Sequence, residues 1–295
     1  MKIGKHEVEL SNEEKVFFPK DGITKGDLID YYMKIAERIL PYMKDRPLML
    51  QRFPDGIKED SFYQKEASDY FPDWIKTQKV EKEGGEVNHV ICNDKATLIY
   101  LVNQGTVTFH TWLSKKDKLK RPDKFIIDLD PPTSATFKKV REAAHKLKEF
   151  FDQKSVTTYL MTTGSSGLHI VLPLKADKAF DEVRETGKQL ESIICQKYDD
   201  LFTAAKRKSK REDKIFFDIQ RNAYAQTGVV PYSVRPIDKA PLATPLGWDE
   251  LNSEIQARSY HIKNIFKRLA QKEDPWRHFK HSVMSITDLQ EKMTD

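Results

Sequence analysis

Cysteine is scarce in this chain: Cys92 and Cys195 are the only two in 295 residues, and they stand far apart with no C-x-x-C spacing. That argues against a disulfide framework and against a zinc site, and a reducing cytoplasm is the expected setting. Long apolar runs are also missing. The longest, ATLIYLV at 96–102, is far too short to span a bilayer, and the opening MKIGKHEVEL has no apolar h-region, so neither export nor membrane anchoring is expected. No internal repeat and no low-complexity linker marks a boundary, so residues 1–295 are expected to form a single domain. A large excess of one charge is absent too. With 32% charged residues the net charge is only +5, so the overall balance says little about a polyanionic partner and local clusters matter more.

What is present is a mixture of helical and strand patterns. TKGDLIDYYMKIAERIL (24–40) places Leu28, Tyr32, Ile35 and Ile39 on one helical face, with Thr24 as N-cap and Pro41 as the expected stop. Strands are expected over 47–53, 97–102, 106–112, 124–128, 156–161, 168–174, 214–218 and 229–234, where β-branched and aromatic residues concentrate. Helical periodicity covers 136–151 and 179–198, and helices are expected at 248–256 and 259–271. The fold class is therefore α+β, with a mixed β-sheet core flanked by helices.

The chemistry concentrates at three strand ends. In KFIIDLDPP, Asp128 and Asp130 lie one residue apart, so a strand projects both from one face while Leu129 points to the core. Two neighbouring carboxylates repel unless a cation lies between them, and hard oxygen donors suit Mg²⁺ or Mn²⁺. The competing reading is that Asp-Leu-Asp-Pro merely ends a strand and starts a turn. A third aspartate, Asp218, closes KIFFD. Between them TTGSSGLHIVLP offers a glycine- and hydroxyl-rich turn whose amides suit phosphate oxygens, followed by His169; the same pattern also makes an ordinary hairpin. Three acidic ligands holding two divalent ions would fit nucleotidyl transfer. Basic runs at 114–124 and 206–213 lead into the aspartate-bearing strands; Lys206, Arg207, Lys208, Lys210 and Arg211 are expected to form a mobile loop on a DNA backbone.

FIIDLDPP, TTGSSGLHIVLPL and FFDIQRNAYAQTGVVPYSVRPIDKAPLATPLGWDEL resemble the catalytic motifs of the polymerase domain of DNA ligase D, within the archaeo-eukaryotic primase superfamily. LSNEEKVFFPKDGITKGDLIDYY, RPLMLQRFPDGI and FYQKEASDYFPDWI resemble the same family in the same order, over roughly residues 6–270, leaving 271–295 as a tail. The resemblance implies a primase-polymerase fold and addition of nucleotides, ribonucleotides by preference, to primer 3′ ends at gaps or breaks in non-homologous end joining. It implies two Mn²⁺ or Mg²⁺ ions on Asp128, Asp130 and Asp218, and a nucleotide pocket containing His169, His110, Arg52, Arg221 and Arg235. Phe62 and Tyr63 fall where the family stacks a ring on the base. Lys15 and Lys25 fall where it reads a 5′-phosphate on DNA. In the turn, Thr163 stands for a family serine and Ser166 for a family lysine, so a hydroxyl is kept and a cation lost.

The implied partners are DNA ends or gapped DNA, nucleoside triphosphates, a separate ATP-dependent ligase and Ku, with a cytoplasmic, nucleoid-associated location in a prokaryote. A de novo primase shares the triad, though no Cys/His zinc module accompanies it here. A DNA-end bridging module with little polymerase activity is the alternative kept open by Ser166. A haloacid dehalogenase-type phosphatase fits poorly, because the Asp-x-Asp lies mid-chain without the expected downstream threonine. His278 and His281 are read as part of a solvated tail.

Overall fold

The computed structural model describes residues 1–82, 84–132 and 136–294. The chain divides into two compact units. The first comprises 1–117, 227–243 and 260–266; the second comprises 118–226, 244–259 and 267–295. The strands that build their main sheets are β1 (Leu48–Arg52), β2 (Phe62–Gln64), β3 (Thr106–Trp112), β4 (Lys124–Asp130), β5 (Tyr159–Thr162), β6 (Leu168–Pro173), β7 (Phe202–Thr203), β8 (Ile215–Asp218), β9 (Thr227–Val229) and β10 (Thr244–Leu246).

In the first unit the sheet order is β9-β3-β1-β2, antiparallel throughout. Helix α1 (Lys25–Met43) starts at a capping box in which Thr24 accepts from the Asp27 amide and Asp27 from the Thr24 amide. Leu28, Tyr32, Ile35 and Ile39 are all buried, each burial contributing about 1.5–3 kcal/mol. Tyr32 keeps its polar end satisfied by donating to the Val107 carbonyl at 2.7 Å. Pro41 does not stop the helix but lies inside it, one turn from the end. A proline there forfeits one hydrogen bond at a terminus already short of them.

Residues 97–102, expected as a strand, belong to helix α2 (Lys95–Asn103). An apolar run in which every residue but the half-buried Tyr100 is buried carries too little period to separate helix from strand. The informative residue was Asp94, which accepts from the Thr97 amide at 2.8 Å as an N-cap. The strand expected over 229–234 ends at Val229, because Pro231 and Tyr232, at φ 69°, turn the chain.

In the second unit the sheet order is β7-β8-β4-β6-β5-β10, antiparallel except for the β7/β8 pair. Helix α3 (Phe137–Gln153) buries Val140, Ala144, Leu147 and Phe151. Helix α4 (Phe180–Lys197) approaches the sheet closely at Gly187, where a Cβ would meet the Phe125 ring at 2.8 Å. The helix expected at 248–256 is only a 3₁₀ turn at Trp248–Glu250, and that expected at 259–271 is confined to Ile265–Leu269. The segment after 270 is not a solvated tail: Trp276, Ile286, Leu289 and Met293 are buried, and Met284 bridges to Leu174. His278 and His281 themselves are exposed. Among the described residues no helix is long and apolar enough to cross a membrane.

Candidate active site

The antiparallel register of the second unit's sheet decides which side chains meet. Asp128 on β4 lies opposite His169 on β6 and opposite Asp218 on β8. Directly paired residues project to the same face, so His169, Asp128 and Asp218 form a row across three strands. Asp130, two residues further along β4, faces the same way, whereas Leu129 points to the interior and is fully buried. The alternation expected from Asp-Leu-Asp is what the strand shows.

The carboxylates differ in environment. Asp128 is 8% exposed, with His169 Nε2 at 3.4 Å and Arg221 Nε at 3.1 Å from Oδ2. Burial pushes its carboxyl up, but the charges and hydrogen bonds of His169 and Arg221 outweigh this and hold it well below the usual carboxylate range. Asp218 moves the other way: burial raises it, and the charge of Asp128 adds to the rise against the opposing hydrogen bond from the Gln220 amide. Asp130 accepts from Arg211 Nη1 at 2.9 Å. His169 is 2% exposed, and its Nδ1 has no hydrogen-bond partner among the described residues.

This donor set of hard oxygens on adjacent strand ends suits a divalent cation. The side chains as placed do not form a closed cage: among the described residues no three Asp, Glu, His or Cys side chains are gathered for a metal. Arginines are hydrogen-bonded to two of the three carboxylates instead.

Arg211 corrects the sequence reading. Lys206, Arg207, Lys208 and Lys210 are exposed, but Arg211 is only 3% exposed and turns inward. Besides Asp130 it donates to the carbonyls of Ala205 and Lys206, and its guanidinium lies 4.7 Å from the Phe216 ring centroid. It ties the basic segment to the sheet rather than presenting a charge to solvent.

The glycine turn is organised from within. The Thr163 hydroxyl accepts from the Ser165 and Gly167 amides at 3.3 and 3.2 Å and donates to the Gly167 carbonyl. Two amides expected to face phosphate are thus engaged in the turn, and Ser166 is exposed at its tip. A Cβ on Gly167 would lie 2.3 Å from the Leu129 carbonyl oxygen, so the turn is pressed against β4 between Asp128 and Asp130.

Asn222 escaped the sequence reading. Fully buried, it accepts from the Ile126 amide at 2.8 Å and donates to the Ile126 carbonyl at 2.7 Å and the Ile219 carbonyl at 2.9 Å. It fixes the turn that carries Arg221 to the strand that carries Asp128. The available signal was an amide directly after a candidate arginine, too common to single out.

The remaining candidates lie in the first unit. Arg52 is largely buried and donates to Gln104 O, Gln64 Oε1 and Tyr70 OH at 2.8, 2.7 and 3.0 Å. Its guanidinium lies 5.2 Å from the Phe62 ring centroid. Phe62 and Tyr63 are 47% and 58% exposed and, as neighbours on a strand, face opposite ways. Phe62 shares Arg52's face, while Tyr63 lies edge-on to His110 with centroids 6.2 Å apart. Arg235 follows the turn after β9 and is half-buried. Lys15 and Lys25 line a cavity of about 190 Å³ with Ser11, Asn12 and Gln104. Lys15 pairs with Asp55, and the Lys25 ammonium donates to the Ser11 carbonyl. Burial, and then the charge of Lys15, lowers the Lys25 pKa, so an anion beside Lys25 would favour its charged form.

Fold and acidic row define a class, that of the primase-polymerase domains. Residues 24–276 match the family described as "LigD, primase-polymerase domain", and the chain belongs to that family. It is 30% identical over 90% of its length to the Multifunctional non-homologous end joining protein LigD of Mycolicibacterium smegmatis, and 29% identical over 92% to the Bifunctional non-homologous end joining protein LigD of Bacillus subtilis. It spans 35% and 44% of those proteins. The structure resembles the polymerase domain from Mycobacterium tuberculosis ligase D, solved in complex with DNA, with a TM-score of 0.86 and 24% identity over 94% of this chain and 99% of that one.

Proposed function

We propose that this chain adds nucleotides to primer 3′ ends, directed by a template, at gaps or double-strand breaks during non-homologous end joining. The observation that carries the reading is the row of His169, Asp128 and Asp218 with Asp130 on the same face, in a member of the LigD primase-polymerase family. Two divalent ions, Mn²⁺ in preference to Mg²⁺, supply Lewis-acid activation of the primer hydroxyl and charge neutralisation at the departing pyrophosphate when bound.

The chain's own residues divide the remaining work. Asp128, Asp130 and Asp218 act as ionised ligands and need not accept the hydroxyl proton. Asp128 is suited to this by the charges that keep it ionised. For Asp130 and Asp128 to ligate, Arg211 and Arg221 must yield their hydrogen bonds, after which both guanidinium groups become available to phosphate oxygens. In the second unit His169, with Thr163 and Ser166, supports the triphosphate; in the first unit His110, Arg52 and Arg235 are the nucleotide contacts. The exposed rings of Phe62 and Tyr63 offer base stacking that tolerates any sequence. Lys15 and Lys25, already side by side in a small cavity, receive the 5′-phosphate beyond a gap. Lys206, Arg207, Lys208 and Lys210 follow the DNA backbone. Ribonucleotides are the preferred substrates, and sealing and end-holding fall to an ATP-dependent ligase and a Ku-type partner.

The test is extension across a one-nucleotide gap with each templating base in turn, with a downstream 5′-phosphate or 5′-hydroxyl. Incorporation should follow the template and favour the phosphate, and Lys15→Ala should remove the phosphate preference. Tight binding to the phosphorylated gap without extension would replace this reading by an end-binding module.

A further inference from the structure

We propose that Arg258 is the cation that holds the phosphates of the incoming nucleoside triphosphate at the Thr163–Gly167 turn. This rests on the polymerase reading above and assigns a residue to its substrate.

The turn lies against β4 between two aspartates, through the contact of Gly167 with the Leu129 carbonyl. A triphosphate brought there adds several negative charges to an already acidic strand end, so fixed positive donors are needed beside it. The turn supplies none of its own: TTGSSGLHIV, 162–171, contains no lysine or arginine. Its Ser165 and Gly167 amides are satisfied by Thr163.

Arg258 fills that gap. Its Nε donates to the Ser165 carbonyl at 2.8 Å, and among the described residues it is the only cationic side chain hydrogen-bonded to the turn. That bond fixes the plane of the guanidinium at the turn and leaves Nη1 and Nη2 without a protein partner among the described residues. The side chain is exposed, so those donors are accessible. The segment that presents it is itself held to α3: Arg141 donates to the Ile255 carbonyl at 2.8 Å, and His145 Nε2 lies 3.0 Å from the Leu251 carbonyl. An arginine anchored through Nε and open at both Nη groups is arranged for a forked bond to phosphate, with part of its ordering cost already met by the fold.

The test is equilibrium binding of ATP, ADP and AMP, each with Mn²⁺, to the parent, Arg258→Ala and the double variant Arg258→Ala/Ser166→Lys. Primer extension is followed in parallel. Arg258→Ala should weaken ATP binding about tenfold, the worth of one charge-assisted contact, and raise the nucleotide KM by the same factor while kcat stays within about twofold. AMP binding should change less, and Ser166→Lys, which places a cation at the exposed tip of the same turn, should restore most of the ATP affinity. Equal ATP affinity in parent and Arg258→Ala would overturn the assignment, as would an equal loss for AMP and ATP, which marks a purely structural role for the arginine. If the parent extends primers and its KM is unmoved by Arg258→Ala, this inference fails and the polymerase reading stands. If the parent neither binds ATP nor extends, both fall.

Discussion

Replacing Asp218 by asparagine should make the metal-free protein more stable while weakening its response to metal. Asp218 lies directly opposite Asp128, and its carboxyl is raised by burial and by that neighbouring charge. Two like charges on opposed strand residues, about 5 Å apart at an effective dielectric of about 20, repel by about 3 kcal/mol. Partial exposure of Asp218 and the nearby Arg221 reduce the net gain from removing one charge to about 1 kcal/mol, or a rise of about 2 °C in Tm. Asparagine keeps an oxygen to accept from the Gln220 amide, so that contact survives. The pH dependence has a definite sign. Because the native carboxyl is raised, its ionised form is penalised at neutral pH, and the penalty disappears as pH falls and the group protonates. Parent and variant should therefore differ at pH 7 in chelator and converge toward pH 3. Added Mn²⁺ should raise the Tm of the parent far more than that of the variant. A variant less stable than the parent at pH 7 in chelator would refute the reasoning.

Asn222→Ala removes three buried hydrogen bonds and orphans both backbone groups of Ile126, so urea denaturation should show a loss of about 3 kcal/mol. Gly167→Ala places a methyl 2.3 Å from the Leu129 carbonyl oxygen, which must move, and calorimetry should show a lower Tm. The Asp128 carboxyl is depressed, so its pairing with His169 and Arg221 stabilises the fold above the ordinary carboxylate range and is lost as pH falls below it. Arg221→Met should accordingly flatten the acid limb of a stability–pH curve. Reversing the charges of Lys206, Arg207, Lys208 and Lys210 should lower the slope of log K for DNA against log salt by about 0.9 for each lost phosphate contact.

Elements with a strong period were legible in the sequence. The 24–40 stripe became helix α1 with the expected face and cap, and the 106–112 strand has the expected bounds. The 97–102 run was misread because burial of all but Tyr100 erases most of its amphipathicity, and the C-terminal segment because a few spaced apolar residues within a charged sequence can still dock. In the candidate site, the common face of Asp128 and Asp130 follows from strand alternation alone, but the meeting of Asp128 with His169 and Asp218 depends on inter-strand register, which spacing does not encode. Arg211 was grouped with its basic neighbours because sequence shows charge density and not direction; only the structure turns it toward Asp130. Asn222 and Arg258 act through bonds to backbone carbonyls, and Asn222 also to a backbone amide, contacts that leave no residue-type signature at the partner position.

The central claim is that the acidic row is a nucleotidyl-transfer centre. It is tested most directly by primer extension on a short gapped duplex bearing a 5′-phosphate, with Mn²⁺ and ribo- or deoxyribonucleotides, comparing the parent with Asp128→Ala. The expected result is templated extension by the parent, more with ribonucleotides, and none by the variant although it still binds the gap. Equal extension by both proteins, or none by the parent with either sugar, would contradict it.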